Sequence, residues 1–137
     1  MINLPGYTRF ISVVMLMSLA IFLNFSVQAA DNLLQKYPNV ISAKVRHDSG
    51  DIFDFDVTVS SPYDTPQRYA DAFHVMDKNG RVFGERKLIH DHEDEQPFMR
   101  DLYGVNIPKG VRIVIIQARD QKYGYGGEQV EVMLPGR

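Results

Sequence analysis

Strict alternation between apolar and polar side chains is the feature that most constrains how this chain folds. The segment FDFDVTVS places Phe53, Phe55, Val57 and Val59 at one parity, with acids and hydroxyls at the other. Because successive side chains of a β-strand point to opposite faces, this pattern predicts a strand with one buried face. The same period of two recurs along most of the chain downstream, and no useful length of sequence has helical periodicity. The chain is therefore predicted to be all-β.

Turn signals divide the alternating region into seven predicted strands. The sequences DSGD, DKNG and PKG are typical of tight turns, and two prolines interrupt the segment SSPYDTPQR. The predicted strands are VISAKVRH, FDFDVTVS, YADAFHVMD, RVFGERKLIH, FMRDLYGVNI, VRIVIIQARD and EQVEVMLP. Seven short strands with closely spaced turns are typical of an antiparallel sandwich of two sheets.

The first thirty residues have the composition of an export signal. Arg9 is the single charged residue ahead of the apolar run FISVVMLMSLAIFLNF, and the small residues of SVQAA follow it. This order predicts a secretory signal over residues 1–29, with cleavage after Ala29 or Ala30. A retained membrane anchor is the alternative, although the run is shorter than the ~20 residues that span a bilayer comfortably. We expect a β-sandwich domain over residues 30–137, periplasmic or secreted and off the membrane after cleavage.

Composition excludes several classes of function. The chain has no cysteine, which excludes disulfides, thiol catalysis, thiolate metal sites and a lipid-modified cysteine. Removing Arg9 with the signal leaves 14 of the 15 basic residues against 17 acidic ones, a formal charge of −3. This charge does not fit a nucleic-acid-binding surface. No serine lies in a nucleophile elbow and no other catalytic motif is present, so we predict a protein that is not an enzyme.

The passage VRIVIIQARDQKYGYGGEQVEVMLP resembles the end of a fibronectin type III or immunoglobulin-like domain. In those domains an alternating strand ends in Ala-x-Asp/Asn, and a glycine-rich loop and a Val-x-Val strand follow. The resemblance covers about residues 38–135 and implies a seven-stranded sandwich. Two positions depart from the family pattern: Phe73 stands where tryptophan is usual, and Val111 lies near the expected tyrosine. The segment HDHEDEQPF also resembles one in small exported bacterial proteins without an assigned activity.

In such a sandwich, connections alternate between the two ends, which predicts a rim formed by three unusual loops. These are Ser61–Arg68, His90–Pro97 and Asp120–Gly127. Loops on a rigid sandwich commonly carry binding residues, and tyrosine beside charged groups suits recognition. The rim is predicted to bind a protein, peptide or glycan, and a simple solvated set of loops is the alternative. The candidate binding residues are Tyr63, Asp64, Arg68, His90, His92, Tyr123 and Tyr125.

The segment HDHEDE, residues 90–95, is also a candidate metal site. If the fourth predicted strand continued through His92, then His90 and His92 would share a face, with Cα atoms ~6.6 Å apart. Two imidazoles with Glu93 or Glu95 could hold Zn²⁺ or Cu²⁺, whereas Ca²⁺ would prefer the aspartates and Glu95. No spaced partner motif accompanies the histidines. A solvated or salt-bridged turn without a cofactor is therefore the alternative.

A second surface follows from strand parity near the C-terminus. In the resembling family, Val114, Ile116 and Ala118 take the parity that faces the core. The opposite parity predicts a small apolar stripe on an outer sheet face, and such patches can mark partner surfaces. The stripe residues are Met76, Ile113, Ile115 and Met133.

Overall fold

The computed structural model describes residues 35–137, which form one compact unit built from strands and loops. The predicted signal peptide and its cleavage site lie outside the described residues. Within this range no helix is long and apolar enough to cross a membrane. The described residues form seven strands, as predicted: β1 (Asn39–Ser49), β2 (Ile52–Ser60), β3 (Ala70–Met76), β4 (Val82–Lys87), β5 (Phe98–Asn106), β6 (Ile113–Asp120) and β7 (Gly124–Met133).

The strands form two antiparallel sheets, with the orders β1-β2-β5 and β4-β3-β6-β7. Three connections pair sequential strands within one sheet, and the other three cross from one sheet to the other. The prediction of an all-β sandwich with seven antiparallel strands is therefore confirmed.

The core lies between the sheets, where the alternating residues of β2 meet those of β3 and β6. Phe53, Phe55, Val57 and Val59 are all fully buried. Burial of a side chain of this size contributes about 1.5–3 kcal/mol to folding, so packing stabilises the domain without disulfides. The facing residues are Phe73, Val75, Val114, Ile116 and Ala118.

Three connections lie together at one end of the sandwich. The register pairs Val59 with Phe98, Ala72 with Lys87 and Asp120 with Gly124, so these strand ends are neighbours. Residues 61–69, 88–97 and 121–123 therefore form the rim that the strand order predicts. Gln35 also lies at this end, since its side-chain amide donates to the carbonyl of Ser60 at 3.3 Å.

The β6–β7 turn is tighter than the predicted glycine-rich loop. The buried carboxylate of Asp120 accepts hydrogen bonds from the amides of Lys122 (2.9 Å) and Tyr123 (2.8 Å), which closes the turn within three residues. Gly124 has a φ of 85°, a conformation open to glycine at little cost, and it starts β7. Tyr125 therefore lies in a strand rather than in a loop.

The fourth strand ends earlier than the metal hypothesis supposes. β4 ends at Lys87, and the amide of Leu88 makes one further bond to the carbonyl of Asp71 at 2.8 Å. The amide of His92 donates instead to the side chain of Asp64 at 3.0 Å. The supposition that a strand continues through His92 is therefore wrong, because a side chain in the β2–β3 connection captures the amide that a strand would need.

The predicted apolar stripe is present on the outer face of the four-stranded sheet, at the end opposite the rim. Met76 pairs with Ile115, and Ile113 pairs with Met133. Met133 is 74% exposed.

Candidate functional site

Arg68 is the centre of one cluster in the rim. Its Nε donates to both carboxylate oxygens of Asp120, at 3.1 and 3.3 Å. The guanidinium carbon lies 4.1 Å from the ring centroid of Tyr63 and 4.9 Å from that of Tyr123. Cation–π contacts of this kind strengthen as water is removed. Arg68 therefore ties the β2–β3 connection to the β6–β7 turn.

The same guanidinium also binds the backbone just ahead of β1. Its Nη2 donates to the carbonyl of Lys36 at 2.5 Å and to that of Gln35 at 3.3 Å. The guanidinium of Arg68 is therefore engaged by other residues of the same chain.

Asp120 is completely buried, and its charge is balanced by its neighbours. Burial by itself raises the pKa of this carboxyl, but the Tyr63 hydroxyl, two backbone amides and Arg68 outweigh burial and hold the pKa below its ordinary value. Burial likewise raises the pKa of Tyr63. Sequence analysis did not select Asp120 as a site residue, although its parity matches that of buried Ala118. A charged residue at a core parity indicates an internal ion pair.

Asp64 connects the β2–β3 and β4–β5 connections. Its side chain is buried, Oδ1 accepts the amide of Ala70 at 3.0 Å, and Oδ2 accepts the amide of His92 at 3.0 Å. Burial raises the pKa of Asp64, although these hydrogen bonds act against that rise. Gln96 adds a second hydrogen bond between these two segments, since its Oε1 accepts the amide of Ser61 at 2.7 Å.

The imidazole of His92 is part of the packed interior. It is stacked on the ring of Phe98 with centroids 3.8 Å apart. Burial lowers the pKa of His92, and the charge of Arg100 acts in the same direction. His92 therefore packs inside the rim, and burial disfavours its protonated form.

The structure brings the two predicted metal-binding histidines close together without completing a site. The ring centroids of His90 and His92 are 4.8 Å apart, and Nε2 of His92 is 3.8 Å from Oε1 of Glu95. That carboxylate pairs with Arg100 at 2.5 Å, while Glu93 is exposed. Among residues 35–137, no group of three or more His, Cys, Asp or Glu side chains is placed to hold a metal ion. The Zn²⁺ or Cu²⁺ site stays a prediction.

Tyr125 lies apart from the other candidate rim residues. Its ring is stacked on His74, with centroids 3.7 Å apart and an interplanar angle of 12°, and its hydroxyl donates to Glu85 at 2.6 Å. These contacts belong to the outer face of the four-stranded sheet, because the flanking residues Phe73 and Val75 face the core. A cleft on this face, lined in part by Asp71 and Arg119, was not predicted from the sequence.

Comparison with known proteins gives one distant relative. The chain is similar to a protein of Halomicrobium mukohataei named "Putative lipoprotein", with 32% identity over 94 residues. The alignment covers 69% of this chain and 46% of the relative, so the chain spans about half of the relative's length. No family model matches the chain. Membership of the fibronectin type III or immunoglobulin-like family stays a prediction.

Proposed function

We propose that this chain is an exported, non-enzymatic binding module that recognises a protein or peptide through its rim. The observation that carries the proposal is the meeting of three connections at one end of a rigid sandwich, held together by Arg68, Asp64 and Gln96. Loops fixed in this way lose little conformational entropy when a partner binds.

The internal contacts separate the scaffold of the rim from its contact surface. Asp64, His92 and Asp120 are buried and hold the loops in place. Ile89 is 84% exposed and Tyr123 is 42% exposed, so an apolar and an aromatic side chain are open to a partner. Aromatic anchors of this kind contribute strongly to binding interfaces.

Charge indicates the kind of partner. The segment 90–95 contains four acidic residues and no lysine or arginine, and Glu93 and Asp94 are exposed. The nearby Arg100 is paired with Glu95. A partner with a basic contact surface complements this loop, and raised salt would slow their association.

Export is supported by two independent observations. The first thirty residues have the order of a secretory signal, and the similar protein of Halomicrobium mukohataei is named "Putative lipoprotein". The 137 residues contain no cysteine, so a lipid attached through cysteine is not a property of this chain. We propose that the domain acts in the periplasm or outside the cell.

Site-specific photo-crosslinking in the producing cell tests the rim. A photoreactive amino acid replaces Ile89 or Tyr123, and matched positions are Asn79 and Lys109, which are exposed in turns at the opposite end. The expected result is one defined crosslinked product from both rim positions and none from the control positions. Absence of a product from the rim, or the same product from both ends, would contradict the proposal.

A further inference from the structure

The outer face of the four-stranded sheet carries a cleft of about 480 Å³ beside the rim. It combines residues of β3, β4 and β6 with Tyr69 and Leu88 from the adjoining connections. Its volume lies within the ~300–1,000 Å³ that is usual for small-ligand sites. Because three strands contribute to it, the cleft belongs to the rigid part of the fold, where binding groups are positioned most accurately.

The charged groups of the cleft are already oriented by one another. Arg119 forms an ion pair with Oδ2 of Asp71, and the hydroxyl of Tyr125 donates to Oε2 of Glu85 at 2.6 Å. Oδ1 of Asp71 is buried and has no hydrogen-bond partner among the described residues. Because this oxygen is buried, a ligand in the cleft does not reach it. The exposed acceptor of the lining is Glu85, whose Oε1 makes no hydrogen bond within residues 35–137.

The charge of the lining favours a neutral ligand. Asp71 and Glu85 supply two negative charges, and Lys87 and Arg119 supply two positive ones. Lys87 is exposed and forms no ion pair with any of residues 35–137. Its ammonium group can donate a hydrogen bond to a ligand while the exposed carboxylate of Glu85 accepts one. Ligand hydroxyl groups suit both side chains, because a hydroxyl group is at once a donor and an acceptor of hydrogen bonds.

The shape of the cleft favours an extended ligand over a small one. Glu85, Lys87 and Ile89 are exposed, so the cleft is open and would bury only part of a free monosaccharide or amino acid. Exposed Ile89 and the half-buried ring of Tyr69 provide apolar surface for the C–H faces of sugar rings.

We propose that this cleft binds a neutral, hydroxyl-rich oligosaccharide, with Glu85 accepting and Lys87 donating hydrogen bonds to its hydroxyl groups. The cleft adjoins the rim and shares Ile89 with its contact surface, but the proposal does not depend on the rim having a protein partner.

Affinity electrophoresis of the protein tests the inference. Native gels contain xyloglucan, galactomannan or glycogen as neutral polysaccharides, and alginate or heparin as charged controls. We expect at least one neutral polymer to retard the protein. Lys87→Ala weakens this binding at least about tenfold, because the loss of a charge-assisted hydrogen bond changes a binding constant by roughly that factor. Lys109→Ala, which removes an exposed lysine at the opposite end, leaves binding unchanged.

A second measurement locates the site. NMR titration with an oligosaccharide from the retarding polymer is expected to shift amides at residues 69–72, 85–89 and 119. The inference is overturned if no neutral polymer retards the protein, if only charged polymers do, or if Lys87→Ala binds like the parent protein. Shifts confined to residues 90–97 and 121–123 would also overturn it. None of these outcomes changes the crosslinking result expected at Tyr123, which does not line the cleft.

Discussion

Replacing Asp64 by alanine removes the side chain that joins two of the rim connections. Both carboxylate oxygens accept buried backbone amides, from Ala70 and from His92, each at 3.0 Å. A buried donor left without its acceptor costs about 1–3 kcal/mol, and water entering the vacated space recovers part of that cost. We expect Asp64→Ala to lower the free energy of unfolding by about 2–4 kcal/mol, which corresponds to a fall of roughly 10–25 °C in Tm for a domain of this size.

Thermal and urea unfolding, followed by circular dichroism, measures this change, and hydrogen exchange reports the His92 amide directly. Asp64→Asn retains one acceptor oxygen and should lose about half as much stability. Asp94→Ala, which removes an exposed acid from the same end, should change stability by less than about 0.5 kcal/mol. The reasoning fails if Asp64→Ala unfolds like Asp94→Ala, or if the exchange of the His92 amide is unchanged.

Four further outcomes are expected. Phe55 is fully buried, so Phe55→Ala should cost about 3–5 kcal/mol in urea unfolding, and a loss below about 1 kcal/mol would contradict the packing. Burial lowers the pKa of His74 and His92 below the ordinary 6.5, so the folded state binds fewer protons than the unfolded state. Their contribution to the free energy of unfolding is complete above pH 6.5 and falls as the pH drops through and below that value. Thermal unfolding across that pH range should show stability decreasing toward acid, and His92→Phe should reduce the dependence of stability on pH. Zn²⁺ or Cu²⁺ should leave the melting midpoint unchanged, because the carboxylate of Glu95 near His92 pairs with Arg100 and residues 35–137 hold no group of three or more His, Cys, Asp or Glu side chains placed for a metal ion; a rise abolished by His90→Ala would instead support the metal site. Mass spectrometry of the exported protein should find an N-terminus at residue 30 or 31, and an intact residue 1 would refute the signal.

The strands could be predicted from the sequence because side-chain alternation is a local property. Phe53 and Phe55 in β2, and Val114 and Ile116 in β6, are buried as their parity predicts. The strand ends were predicted less well. Asp120 closes its turn through the amides of Lys122 and Tyr123, which shortened the predicted loop. A carboxylate that captures amides is not visible in a pattern of apolar residues.

The sequence by itself determined the all-β architecture, the buried face of β2 and the absence of thiol chemistry, since each depends on residue type or on period-two spacing. The tertiary structure alone decided what the candidate rim residues do. Arg68 meets Asp120 from 52 positions away, and Asp64 meets His92 from 28 positions away. Contacts over such separations arise because β3 pairs with β6 and because the folded sheets bring distant connections to one end. Pairing of β3 with β4 and β6 within one sheet also gave the outer cleft its charged groups, which no single segment of the chain contains.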